Sequence, residues 1–195
     1  MSMLIAGLVI FLGVHSVRIF AEGLRTQMRA RLGENGYKGL YSLLSVLGFL
    51  LIIWGYGAAR LEPMVLWGSP TWTRHLASLF TLPAFVILFA AYVPGNIIKA
   101  NLHHPMVLGI KLWAFAHLVA NNTVADLLLF GGFLVWAALS FRAARQRDAQ
   151  AGTVYAPGRL GPTLLTVALG LVAWAGFAFW AHAAWIGVRP FGGTA

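Results

Sequence analysis

Six apolar stretches, each close to the length of a bilayer crossing, recur along the chain and leave little room for any other kind of fold. They are Met3–Phe20, Tyr41–Ala59, His75–Val93, Met106–Ala120, Val124–Phe141 and Leu164–Ile186. About 20 residues of helix, rising 1.5 Å each, cross the hydrocarbon core. Lipid offers no hydrogen bonds, so each stretch must satisfy its backbone internally, as a helix does. The chain is 59% hydrophobic and only 10% charged; a soluble domain carries roughly 25% charged residues, enough for a wetted shell. The expected fold is an all-α polytopic membrane bundle of about six transmembrane helices, a single transmembrane domain over residues 1–195. Met1-Ser2-Met3 lacks a basic n-region and no small-residue cleavage site follows, so the first stretch reads as a retained span rather than a signal peptide.

A net charge of +9 raises the question of nucleic acid, and the distribution answers it. With alternating helices, the loops after the first, third and fifth spans share one side. They hold Arg18, Arg25, Arg29, Arg31, Lys38, Lys99, Arg142, Arg145, Arg147 and Arg159, against Arg60, Arg74 and Arg189 opposite. Short basic loops stay cytoplasmic, so both termini are expected in the periplasm. The basic charge then serves orientation and anionic lipid, with the bilayer as partner and no nucleic acid. Trp54, Trp67, Trp72 and Trp185 fall where an outer aromatic belt belongs. Connections are expected at Ala21–Leu40, Arg60–Arg74 and Arg142–Thr163. Gly131-Gly132 is expected to let a neighbouring helix approach closely.

The chemistry available is narrow. Without cysteine there is no disulfide, no iron–sulfur cluster and no thioether-linked haem. The acids are Glu22, Glu34, Glu62, Asp126 and Asp148, too few and too near helix ends for a carboxylate di-iron site. No phosphate loop or nucleophile elbow is present.

That leaves the histidines. His75 and His103 stand at helix ends, and His182 stands near the outer end of the last span, where solvation or a local hydrogen bond suffices. His104 precedes Pro105, where helix capping and a functional role compete evenly. His15 and His117 lie inside apolar spans, and an ionisable group there costs at least about 2.5 kcal/mol at the bilayer centre. A neutral histidine bonding a facing helix recovers only roughly 0.6 kcal/mol. A role as metal ligand gives both residues a better reason to be there. At the helical rise His15 lies about 8 Å, and His117 about 18 Å, from the cytoplasmic face. Tilt reduces that difference, and two imidazoles then hold one iron from opposite sides; His104 is the competing ligand, its depth being about as far from that of His15 as that of His117. Arg18 shares the face of His15, Trp113 and Asn121 flank His117, and Lys111 can snorkel inward. Arg18 and Lys111 suit two carboxylates entering from the inner side. Asn121 is expected to bond the far ring nitrogen of His117.

HSVR at His15–Arg18, GENGYKGLYSLLS at Gly33–Ser45 and HHPMVLGIKLWAFAHLVANN followed by DLLLFGGFLVWA resemble the NnrU family across essentially the whole chain. Asn122 stands where that family's pattern has glycine. The resemblance implies a bacterial inner-membrane, multi-pass protein linked to denitrification through nitrite and nitric oxide. The family is similar to zeta-carotene isomerase, a membrane enzyme that uses haem b. That similarity implies non-covalent haem b with His15 and His117 as axial ligands, Arg18 near its propionates, and a hydrophobic or small gaseous ligand. It leaves open an isomerase-like, redox-controlled haem chemistry. It also leaves open a non-catalytic role as accessory or haem-based sensor for nitrogen-oxide reductases, and it leaves oligomeric state unassigned.

A different class enters through HHPMVLG, which resembles the start of a helix in membrane S-adenosylmethionine-dependent methyltransferases and sterol reductases. The glutamate pair of those methyltransferases has no counterpart in RAARQRDAQAG, and His103 stands where they carry arginine.

Overall fold

The apolar stretches fold as helices, and two of them run well past the lengths that hydropathy alone predicts. The computed structural model describes residues 1–191. Its helices are α1 (Ser2–Phe20), α2 (Glu22–Ala59), α3 (Trp72–Ala90), the short α4 (Ile97–Leu102), α5 (Pro105–Ala120), α6 (Val124–Ala151) and α7 (Leu160–Gly176). α7 continues with π-type winding over Phe177–Ile186. Five helices are long and apolar enough to cross a membrane, counting α7 with its continuation. α5, at 16 residues, is apolar but shorter than these five, about 24 Å long. The protein is thus an all-α, multi-pass membrane bundle, with no strand among the described residues.

The segment Ala21–Leu40 is not a loop. From Glu22 onward it is helical, because Arg, Gln, Met, Ala and Leu are good helix formers. Gly33 (φ 71, ψ 168) breaks the direction of α2 in a conformation that only glycine adopts cheaply. The segment after Phe141 is likewise helical as far as Ala151, where Gly152 (φ 60) ends α6 in the left-handed conformation. Neither Gly nor Pro occurs between Gly132 and Gly152 to stop it earlier. The start of α6 is fixed by a capping box between Thr123 and Asp126. Pro105 opens α5 at the one helical position that needs no N–H.

Packing follows the order α2–α1–α6–α5–α3–α7, an arc in which α6 stands between α1 and α5. Arg60, just beyond α2, donates to the Ile186 carbonyl at 2.8 Å and links the two ends of the arc at one end of the bundle. At that same end, Leu66 N and Val124 N donate to the carbonyls of Asn122 and Met64, at 2.8 and 2.9 Å, zipping the α2–α3 connection to the α5–α6 turn. Leu4, Leu8, Ile52, Ala59, Ala125, Leu129 and Phe130 form a buried core joining α1, α2 and α6. Most other large apolar side chains face outward, Trp54, Trp67, Trp72 and Trp185 among them, as a lipid-facing surface requires.

Close helix approach is made elsewhere than at Gly131-Gly132. A Cβ at Gly55 would stand 2.3 Å from Leu4 N, and one at Gly48 would stand 2.8 Å from Phe11 N. The tight crossing is therefore between α1 and α2, whereas a Cβ at Gly131 meets only a Leu127 methyl at 3.7 Å. Gly131 and Gly132 lie on the α6 face toward long side chains rather than backbone.

Candidate functional site

His15 and His117 are held in the same local way. His15 Nδ1 lies 2.7 Å from the Phe11 carbonyl and His117 Nδ1 lies 2.9 Å from that of Trp113. Each acceptor is the carbonyl four residues earlier, which makes Nδ1 the protonated nitrogen and leaves Nε2 with its lone pair. Nε2 of neither ring bonds another described residue. This is the tautomer that a metal-ligating histidine adopts.

The two rings do not face each other. His15 stacks on Phe11 at 4.2 Å and stands edge-on to Trp136 at 6.1 Å. His117 stacks on Phe130 at 4.6 Å. Trp136 and Phe130 lie six positions apart on α6, about 9 Å along its axis. Phe11, Phe133 and Trp113 form a continuous aromatic run between the histidines, with successive centroid separations of 5.8 and 5.8 Å. α6 packs against both α1 and α5, and no hydrogen bond or ring contact joins His15 to His117 among the described residues. Asn121 departs from the expected bond. Its amide donates to the His117 backbone carbonyl at 2.8 Å, because that carbonyl, four residues back at a helix end, is its nearest acceptor.

His15 instead shares a cavity with His104. The cavity, of about 450 Å³, is lined by His15, Arg18, His104, Ser140, Arg147 and Asp148 among others. The small side chains Ser140 and Ala144, one turn apart on α6, keep its floor open. His104 opens α5 without capping it. Its Nε2 lies 2.6 Å from Asp148 Oδ2, which leaves Nδ1 without a described partner. His103, at φ 65, stacks on Tyr155 at 3.9 Å and meets Arg145. His104 stands edge-on to the same Tyr155 at 6.4 Å, so both histidines pack at the α6 terminus. Among the described residues, Trp136 Nε1 is the buried side-chain donor without a partner, and its ring stands beside His15.

The electrostatics of this end are dominated by cations. Arg147 donates to the Arg18 carbonyl at 3.4 Å. Burial and then the positive charge of Arg18 pull the Arg147 guanidinium below its usual value; an arginine nonetheless keeps its proton. For Asp148, partial burial pushes the carboxyl up, but this is outweighed by hydrogen bonds from Tyr155 and His104 and by the charges of His104 and Arg145. The net result lies below the usual carboxylate value. Tyr155 donates to Asp148 at 2.8 Å, and burial and that bond raise its phenol. With Asp148 so engaged, Arg18 and Arg147 face the cavity without an ion pair among the described residues.

Of the residues singled out in the sequence, the cavity gathers His15, Arg18 and His104. Trp113 packs against His117 at 5.0 Å, away from the cavity. Lys111 is exposed on α5 and does not line it. Arg147, Asp148 and Ser140 were not anticipated. The signal for them is the unbroken run of helix formers through RAARQRDAQA, which carries α6 one long stretch beyond its apolar part. His182 makes a local bond, with Nδ1 2.7 Å from the Val188 carbonyl.

His15 and His104 each have one ring nitrogen held by an acceptor and the other without a partner among the described residues, the way a metal-ligating histidine is held. Arg18 and Arg147 form no ion pair among the described residues, which suits an anionic group in the cavity. His117 has the same donor chemistry and does not line this cavity. The sequence pattern of the family described as NnrU protein matches residues 3–190. No curated protein and no solved structure matches the chain.

Proposed function

The chain belongs to the NnrU family, and from this premise we propose that it is a haem-b-binding protein of the bacterial inner membrane, linked to nitrite and nitric oxide metabolism. The observation that carries the proposal is the cavity in which His15, with Nε2 unpartnered, meets His104, Arg18 and Arg147. His15 and His104 would hold the iron, and Arg18 and Arg147 would hold the carboxylates. Haem, when bound, would supply one-electron chemistry, and a place for a diatomic ligand once one histidine leaves the iron. The protein's own part is to orient the rings: Phe11 fixes the tautomer of His15, and Asp148 fixes that of His104.

The alternative ligand pair is His15 with His117, the pair expected from the sequence, whose rings are joined by the aromatic run of Phe11, Phe133 and Trp113. Single alanine substitutions at His15, His104 and His117, read by the visible spectrum and haem content of purified protein, separate the two arrangements. Loss of haem or conversion to high spin at His15 and His104, with His117→Ala unchanged, is the expected result. The reverse pattern at His104 and His117 selects the other pair, and full haem in His15→Ala overturns haem binding at this cavity.

A further inference from the structure

Between the ends of two spans, Glu22–Leu32 forms a helix bounded by non-helical Ala21 (φ −139, ψ 47) and by the break at Gly33. Leu24, Met28 and Leu32 recur at i, i+4 and i+8 and make one stripe. Leu24 is 51% and Leu32 48% exposed and Met28 between them is half-buried, so the two ends of the stripe are open. At 3.6 residues per turn, Arg25 and Arg31 lie about 60° to either side of it. Arg25 pairs with Glu22 at 2.6 Å and Arg29 with Glu34 at 3.6 Å, while Arg31 forms no ion pair among the described residues. From Arg18 to Lys38, five basic side chains face two acidic ones. The lipid-facing surface runs into the segment from both sides, through Phe20 (71% exposed) on α1 and Leu43 (66% exposed) on α2.

An apolar stripe flanked by arginines is the pattern of a helix lying in the membrane interface, and the charge excess selects the lipid. We propose that Glu22–Leu32 is an interfacial anchor that beds Leu24, Met28 and Leu32 at the acyl boundary of an anionic leaflet, with Arg25 and Arg31 on lipid phosphates. A protein partner is disfavoured because the stripe is narrow and continuous with surface that lipid already covers.

The absence of native cysteine makes the test direct. Leu24→Cys, Met28→Cys, Leu32→Cys, Thr26→Cys and Ala30→Cys are each spin-labelled in the full chain. The proteins are reconstituted in phosphatidylcholine vesicles with or without phosphatidylglycerol. With phosphatidylglycerol, labels at 24, 28 and 32 are expected to collide with oxygen and escape an aqueous nickel chelate, about 5–10 Å into the interface. Labels at 26 and 30 show the opposite. Adding Arg25→Gln and Arg31→Gln to Leu24→Cys removes the dependence on anionic lipid. Aqueous exposure at 24, 28 and 32, or the same depth in both vesicle types, overturns the proposal. So does shielding from both reagents, which would mean a second copy of the chain covers the stripe.

Discussion

His104 Nε2 lies 2.6 Å from Asp148 Oδ2, tying the first residues of α5 to the last turn of α6 and closing one wall of the cavity at the basic end of the bundle. The bond explains why His104, although it precedes the first turn of α5, caps nothing. Its ring is already committed to a carboxylate on the neighbouring helix.

That carboxylate gives a pH signature. Asp148 titrates below its ordinary value of 3.8 in the folded protein, so its contribution to stability is complete above that ordinary value. It is lost as pH falls through the lower folded value. Asp148→Asn is therefore expected to lower the thermal midpoint in detergent at pH 7, and the difference from wild type is expected to close on acidification below about pH 4. A difference that stays constant into acid would assign the effect to shape rather than charge.

The cavity arginines and Lys111 are expected to part company. Arg147→Gln removes a charge-assisted partner worth roughly 1.5–3 kcal/mol and is expected to weaken haem retention by about tenfold or more. Lys111→Gln, on an exposed position of α5, leaves it unchanged. Competition of bound haem with an apo-globin acceptor measures both. Equal losses in the two variants would return Lys111 to the site.

At the α1–α2 crossing, Gly55→Ala places a methyl group 2.3 Å from the backbone nitrogen of Leu4. Overpacking of this kind costs about 1–3 kcal/mol, and backbone cannot move aside as a side chain would. Gly57, whose Cβ would meet nothing within 4 Å, is the control, since a helical Gly→Ala change there is neutral or stabilising by up to about 1 kcal/mol. Thermal unfolding of both variants decides whether the crossing is as close as the structure has it.

Asp126 is buried, yet it accepts from the Tyr56 hydroxyl at 2.5 Å and from the Thr123 nitrogen and hydroxyl at 3.0 and 2.6 Å. Asp126→Ala is expected to cost more than the roughly 1 kcal/mol of an ordinary lost cap, because the Tyr56 hydroxyl loses its partner as well. Tyr56→Phe costs less, and in the double variant the penalties fall short of their sum by at least about 0.5 kcal/mol. Strict additivity would show that the bond contributes nothing.

Orientation follows from the basic asymmetry: loops at Ala21, at 91–104 and at 152–159 are expected in the cytoplasm, with both termini outside. Alkaline phosphatase fused after Arg145 should be inactive, and fused at the C-terminus active. Activity after Arg145 would invert the topology.

What the sequence determined by itself is the all-α membrane bundle and which of its apolar stretches carry histidines. Apolar length and charge asymmetry are read residue by residue, and a histidine in an apolar span is visible without any neighbour. The helical extension of α6 was also written there, in RAARQRDAQA, but apolar stretches end at Phe141 and polar helix reads as loop when hydropathy is the guide. Which histidines share a space was decided only by the tertiary structure. Depth along separate helices places His15 and His117 at levels about 10 Å apart without saying what stands between them. Packing sets α6 against both α1 and α5, with Phe133 against Phe11 and Trp113. It carries Arg147 and Asp148 to His104 and Arg18 instead, because side chains far apart in sequence meet only where helix crossings and small residues leave room.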